Sequence, residues 1–231
     1  MTGTADQVLA AVRVMDRLRS PGGCPWDAAQ THASLAPYLL EETYETLEAI
    51  ELGDLSLLRE ELGDLLLQVL FHARLAEEAD SDERFSIDEV AGDLVAKLTR
   101  RHPHVFAEVS ADTPAEVAAN WEEIKKAEKQ RQSATDGIAM AQPALSLAAK
   151  LLSRSRRAGL DVPPPAGAAV GEKLFAVVAE AVQAGVDPEL ALRATARRFA
   201  DAVRAAETRV ADPTVSATET EANLEDSDPA S

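Results

Sequence analysis

Two short acidic runs carry the clearest chemical signal in this chain: Glu41-Glu42-Thr43-Tyr44-Glu45 and, beyond Gly53, Glu61-Leu62-Gly63-Asp64. Within each run the acids stand three or four residues apart, so on a helix they project from one face. If Gly53 is the apex of an antiparallel helix pair, Glu45 and Glu61 lie equally far from it, about 12 Å along each axis, and Glu42 and Asp64 both about 16 Å. Four carboxylates then meet at one level of a hairpin. Glu61 and Asp64 are embedded in Leu57, Leu58, Leu62, Leu65 and Leu66, so they interrupt an apolar face, whereas a solvated acidic surface would sit opposite one. Facing carboxylates beside apolar surface repel and are costly to desolvate, and a divalent metal is the natural compensation. Only oxygen ligands are on offer, which favours hard Mg²⁺ or Mn²⁺. A di-iron bundle would want Glu-x-x-His on its helices, and no such motif accompanies these acids.

The helices that must hold these acids are legible from their ends. Ser34 can cap the first, placing Pro37 in the first turn, and the helix runs to about Leu52 before Gly53 ends it. Asp54 or Ser56 opens the second, through Leu65, Leu66, Val69, Leu70 and Leu75, apolar on nearly all sides in its middle and therefore expected to be buried. Before them, Val8, Leu9, Val12, Met15 and Leu18 recur at helical spacing until Ser20-Pro21-Gly22-Gly23, and a loop with Cys24-Pro25-Trp26-Asp27 follows. Ser86-Ile87-Asp88-Glu89 and Thr113-Pro114-Ala115-Glu116 are capping boxes for two further helices, the first ending near Arg101 before His102-Pro103. Later helices are predicted over 144–158, 168–184 and 188–209, the last capped by Asp187. No strand-like alternation of useful length appears, and Ala, Leu, Glu and Arg outweigh β-branched and aromatic residues, so the fold class is all-α.

The 231 residues suffice for one full domain and a smaller companion. The reading places a first domain over 1–131, a second helical unit over 132–209 and an acidic, disordered tail over 210–231, where Asp212, Glu219, Glu221, Glu225, Asp226 and Asp228 have no basic neighbour. A formal net charge of −17 argues against nucleic-acid binding. Cys24 is the only cysteine, which excludes an intramolecular disulfide and fits a reducing cytoplasm; it has no basic neighbour to activate it and is given no catalytic role. No signal-like start is present and the Leu65–Leu70 run is too short to span a bilayer, so no membrane association is expected.

Five segments together resemble the MazG nucleoside triphosphate pyrophosphohydrolases over about Val8 to Arg131: Cys24-Pro25-Trp26-Asp27, Tyr38 to Glu45, Glu60 to Leu66, Arg100 to Phe106, and Trp121-Glu122-Glu123-Ile124-Lys125. The resemblance implies a helical bundle of the all-α NTP pyrophosphatase type, completed by a homodimer. It also implies Mg²⁺-dependent hydrolysis of nucleoside triphosphates to monophosphate and pyrophosphate, in nucleotide-pool housekeeping. Carried over residue by residue, Glu42, Glu45, Glu61 and Asp64 are the implied metal ligands, with Glu41 as a ligand or an outer group. Glu41 or Glu45 is the implied group that orients or deprotonates the attacking water.

By the same resemblance Lys97, Arg101, Trp121 and Lys125 look like phosphate-binding cations and a lid around the nucleotide. Ordinary surface ion pairs and a packing Trp would give the same spacing. Trp26 can line the base pocket or cover the core, and both readings stay open. His72 stands about three turns beyond Glu61 and is read as structural, as are His102 and His104 around Pro103. In the second half, Ala169-Val170-Gly171-Glu172-Lys173-Leu174-Phe175 resembles Glu61 to Leu67 with Ala169 in the place of Glu61, which reads as a shortened, inactive copy or an unrelated appendage. Two other functions remain in play: a narrower pyrophosphohydrolase for dUTP, dCTP or phosphoribosyl-ATP, and a non-catalytic helical regulatory protein.

Overall fold

The computed structural model describes residues 4–107, 109–129 and 132–211. From residue 212 on, the expected acidic tail lies outside the described residues. The described residues form helices and no strands, in agreement with the all-α reading: α1 (Thr4–Arg19), α2 (Pro25–Ala29), α3 (His32–Leu52), α4 (Leu55–Glu77), α5 (Ile87–Arg101), α6 (Pro103–Phe106), α7 (Pro114–Lys129), α8 (Ala144–Arg157), α9 (Val170–Gln183) and α10 (Pro188–Ala211). None of them is long and apolar enough to cross a membrane. The chain divides into two compact units between residues 125 and 126, a division that falls inside α7 and ahead of the boundary expected at 131.

In the first unit, α3 and α4 form the hairpin that carries the acids. Thr31, not Ser34, is the N-cap of α3. The Thr31 hydroxyl accepts the Ser34 N–H at 3.1 Å and the Thr31 N–H donates to the Ser34 hydroxyl at 2.9 Å, a reciprocal pair that starts the helix three residues early. Pro37 therefore lies inside α3 and not at its free first turn, so the Ala33 carbonyl loses its intrahelical partner. Gly53 closes α3 in the left-handed region, at φ 69°. Asp54 then caps α4 by accepting the Ser56 and Leu57 N–H groups at 2.9 and 3.1 Å.

Met15 of α1, Leu35 of α3 and Leu70 and Phe71 of α4 form the buried core, with Ala11, Val12, Leu75 and Ile87 packed on it. The middle of α4 departs from expectation. Leu62, Leu66, Leu67 and Val69 are exposed, while Glu61, Gln68, Leu70 and Phe71 are buried. Within one chain only part of the α4 circumference finds cover, so its all-round apolar pattern is not matched by all-round burial.

The far end of the hairpin is tied to α1 by charge. Arg19, with only 4% of its side chain exposed, donates from Nη2 to Glu78 Oε2 at 2.6 Å and from Nε to Glu78 Oε1 at 3.0 Å. It also donates to the Asp27 carbonyl and stacks over the Phe71 ring. Arg74 adds contacts to Glu78 at 2.9 Å and Asp16 at 3.0 Å. The hydrogen bond from Arg19 holds the Glu78 carboxyl below its ordinary range, with the Arg19 and Arg74 charges adding to it. A depressed carboxyl stabilises the fold above its unfolded pKa, and that stability is lost as pH falls through the folded value.

In the second unit, α8 packs on α9 and α10, with Leu152, Arg154 and Val178 buried. Asp187 caps α10 as expected, accepting the Glu189 and Leu190 N–H groups at 2.9 and 3.0 Å.

Replacing Arg19 tests the α1–α4 tie. Arg19→Ala is expected to cost roughly 1.5–3 kcal/mol at neutral pH, the range for hydrogen bonds to a charged partner. Denaturant midpoints from about pH 7 down to about pH 3 check it: the gap between variant and wild type narrows as pH falls toward the lowered value at which Glu78 takes up its proton.

Candidate metal and nucleotide site

The α3–α4 hairpin brings Glu42, Glu45 and Glu61 together, one carboxylate oxygen of each lying within 4.8 Å of the others. Glu61 is buried, at 8% exposure, Glu42 is half-buried and Glu45 is exposed, so the cluster opens to solvent on the α3 side. Burial pushes the Glu42 carboxyl above its ordinary value, and the charges of Asp64, Glu45 and Glu61 push it further. Glu61 is raised in the same way, by burial first and then by Glu45, Asp64 and Glu60. Three hard oxygen donors at this spacing fit a divalent cation such as Mg²⁺.

Asp64 is half-buried and acts on both Glu42 and Glu61 through its charge, but stands outside the three-way group. Asp64 faces Glu42, on which its charge has the largest effect of the neighbouring acids, and its charge also bears on Glu61. Glu41 is exposed and also lies outside the group.

The remaining candidates fall into two places. Arg101, buried at the end of α5, sits 5.3 Å from the Trp121 ring centre on α7. His102 packs edge-on against Trp121 at 4.8 Å and against His104 at 5.5 Å, while its Nδ1 donates to the Leu98 carbonyl at 2.7 Å. Lys97 is exposed one turn before Arg101, and Lys125 is half-buried one turn after Trp121. Trp26 lies on the short helix α2, edge-on to Tyr38 at 6.1 Å and to the core residue Phe71 at 6.4 Å. It covers the core and yet keeps 52% of its surface exposed, and its partner Tyr38 stands one turn of α3 before Glu42.

Two long-range pairings escaped the sequence reading. His72 stacks on His32 at 5.0 Å with their Nδ1 atoms 2.7 Å apart, and burial, then His32, lowers its pKa. Arg19 and Glu78 are the other pair. Partners this far apart along the chain leave no local periodic signal.

A family model described as the MazG nucleotide pyrophosphohydrolase domain matches residues 30–106. That segment holds all five acids together with Lys97 and Arg101, while Trp26, Trp121 and Lys125 fall outside it. The nucleoside triphosphate pyrophosphohydrolase of Escherichia coli K12 is 46% identical over 188 residues, covering 79% of this chain and 70% of that protein. The chain belongs to the MazG family. An uncharacterised 26.1 kDa protein from the blaB 3′ region of Streptomyces cacaoi is 54% identical, over 87% of this chain and 83% of its own length. The nucleoside triphosphate pyrophosphohydrolase of Mycobacterium tuberculosis is 46% identical over 89% of this chain, which spans 60% of that longer protein. The MazG match begins just before α3 and ends with α6, so the carboxylate hairpin is its centre.

The raised carboxyls give a stability test. A folded-state acid with a raised pKa binds protons more tightly than the unfolded chain, so the metal-free fold loses stability as pH rises from the ordinary value of 4.5 through the raised one. Glu61→Gln removes one member of the like-charged set. Thermal melts in chelator from pH 4 to pH 8 are expected to show a smaller loss in the variant than in wild type, with the variant more stable at pH 8. Parallel profiles would contradict the electrostatic account.

Proposed function

We propose that the chain hydrolyses nucleoside triphosphates to monophosphate and pyrophosphate, with Mg²⁺ held by Glu42, Glu45, Glu61 and Asp64. The observation that carries this reading is the convergence of Glu42, Glu45 and Glu61 within 4.8 Å. The names of the relatives from Escherichia coli and Mycobacterium tuberculosis support the reaction. Cytoplasmic nucleotide-pool housekeeping is the setting we assign to it.

Bound among these carboxylates, the cation supplies charge neutralisation for the triphosphate and acidifies a water. The chain's own groups do the rest. Glu45, exposed at the edge of the cluster, or Glu41 one turn before it, accepts the proton of the attacking water. Water oxygen bonds to the α-phosphorus, the bond from that phosphorus to the bridging oxygen breaks, and pyrophosphate leaves. Lys97, Arg101 and Lys125 are assigned to the phosphate charge, Trp121 and Trp26 to enclosing the nucleotide. Glu41 serves as a further ligand or as an outer group that orients one.

Catalysis is assigned to residues 1–131, and 132–209 to a degenerate second unit. We further propose a homodimer through the α3–α4 hairpin, because Leu62, Leu66, Leu67 and Val69 expose on one helix the kind of apolar surface that a second copy buries.

Two measurements follow. Glu42→Ala, Glu45→Ala, Glu61→Ala and Asp64→Ala are each expected to lower Mg²⁺-dependent pyrophosphate release by orders of magnitude while the helical circular dichroism is retained; wild-type turnover in the Glu61 and Asp64 variants would refute the assignment. Light scattering is expected to give at least twice the chain mass for wild type and one chain mass for Leu66→Glu made together with Val203→Glu on the exposed face of α10. A fully active monomer would refute the dimer.

A further inference from the structure

The last helix carries a seam that the proposed chemistry does not use. Leu192, Ala196, Phe199, Val203, Ala206 and Val210 recur along α10 at alternating steps of four and three, the spacing of a coiled-coil contact line. Leu192 is 56% exposed, Phe199 72%, Val203 40% and Val210 81%. The helix packs within its own unit through a neighbouring face, where Arg193, Arg197 and Ala200 are half-buried, and every residue from 201 to 210 is exposed. A last stretch of helix this short is marginal without a partner.

We propose that this seam pairs antiparallel with the α10 seam of a second copy of the chain. One register accounts for the whole line. Turned end for end, Leu192 meets Val210 of the other copy, Phe199 meets Val203, and Ala196 meets Ala206, so each of the six residues has an apolar counterpart. The same register sets Arg193 beside Glu207 of the other copy at both ends. Glu207 carries no ion pair among the described residues. Arg193 holds Glu189 at 3.0 Å within its own helix, and the five donors of a guanidinium can serve more than one carboxylate.

At the centre, Ala200 and Ala202 flank the two-fold axis, where small side chains let the helices approach. The parallel alternative is poorer: it brings Thr195 to Ala200 and Ala202 to Glu207, with no opposed charges. A repeated surface that satisfies itself about a two-fold axis is what an isologous contact requires.

The pairing is read by cross-linking the full chain. In a Cys24→Ser background, Ala202→Cys treated with a short bis-maleimide is expected to give a covalent dimer as the main product. Arg209→Cys, on the same side of the seam but about 20 Å from its copy in the antiparallel register, is expected to give none. Adding Val203→Glu should suppress the Ala202→Cys product by at least about tenfold, with the thermal melt of the folded chain retained because the position is exposed. The proposal is overturned if Ala202→Cys stays uncross-linked, as it would if the acidic tail or another part of the same chain covered the seam. It is equally overturned if Arg209→Cys cross-links as well as Ala202→Cys, or if Val203→Glu has no effect. The readout does not depend on the α3–α4 dimer, because Leu66→Glu leaves α10 intact.

Discussion

Like-charge repulsion inside the α3–α4 hairpin is the constraint around which the first unit is organised. Glu42, Glu45 and Glu61 are held within 4.8 Å of one another although two of them resist ionising there. The turn fixes that register. Gly53 and Asp54 are the only residues between the helices, one in the left-handed region and the other capping α4. One extra residue at this point would rotate α4 by about 100° relative to α3 and part the acids. The attractive contacts sit on the same two helices, away from the turn: Leu35, Leu70 and Phe71 with Met15, and beyond them the Arg19–Glu78–Arg74 ties. The hairpin is thus clamped at one end and electrostatically loaded toward the other, and a divalent cation would relieve that load.

Regularity explains how much of this was legible in the sequence. Counting outward from Gly53 put Glu45 opposite Glu61 because both helices run without interruption to the turn, Pro37 lying well before the acids. The same count set Asp64 level with Glu42, and the effect of the Asp64 charge is the largest of those acting on Glu42 from neighbouring acids, although Asp64 stands outside the three-way group. The start of α3 lies three residues ahead of the cap read at Ser34, because the Thr31 hydroxyl takes the capping place in a reciprocal pair with Ser34. His32 with His72, and Arg19 with Glu78, are contacts of the tertiary fold, without any local pattern to announce them.

The middle of α4 was misread for a different reason. An apolar circumference reports how much cover a helix is built for, not how much of it one chain provides. Leu62 and Leu66 flank the acids on the exposed side, so whatever covers them also lowers the local dielectric around Glu61. The assembly proposed for this face would therefore strengthen the demand for a compensating cation as well as bury apolar surface. Oligomeric state and metal affinity should accordingly be coupled, each favouring the other.

The second unit shows what the acidic motif becomes when its helical context changes. Glu172 stands where the resemblance aligns Asp64, yet α9 begins at Val170, which puts this acid in a first turn and not in the middle of a helix. There its carboxylate accepts the Ala169 N–H at 3.0 Å, supplying a partner for one of the unpaired donors of the helix start. Asp64 stands about three turns into α4, where the backbone N–H groups are already paired within the helix, and its charge bears on Glu42 and Glu61. Moving the same short pattern from helix interior to helix start turns a side chain that calls for a cation into one that caps. Local sequence similarity between the two segments therefore carries no shared chemistry unless the facing acids and the length of helix ahead of them are repeated as well.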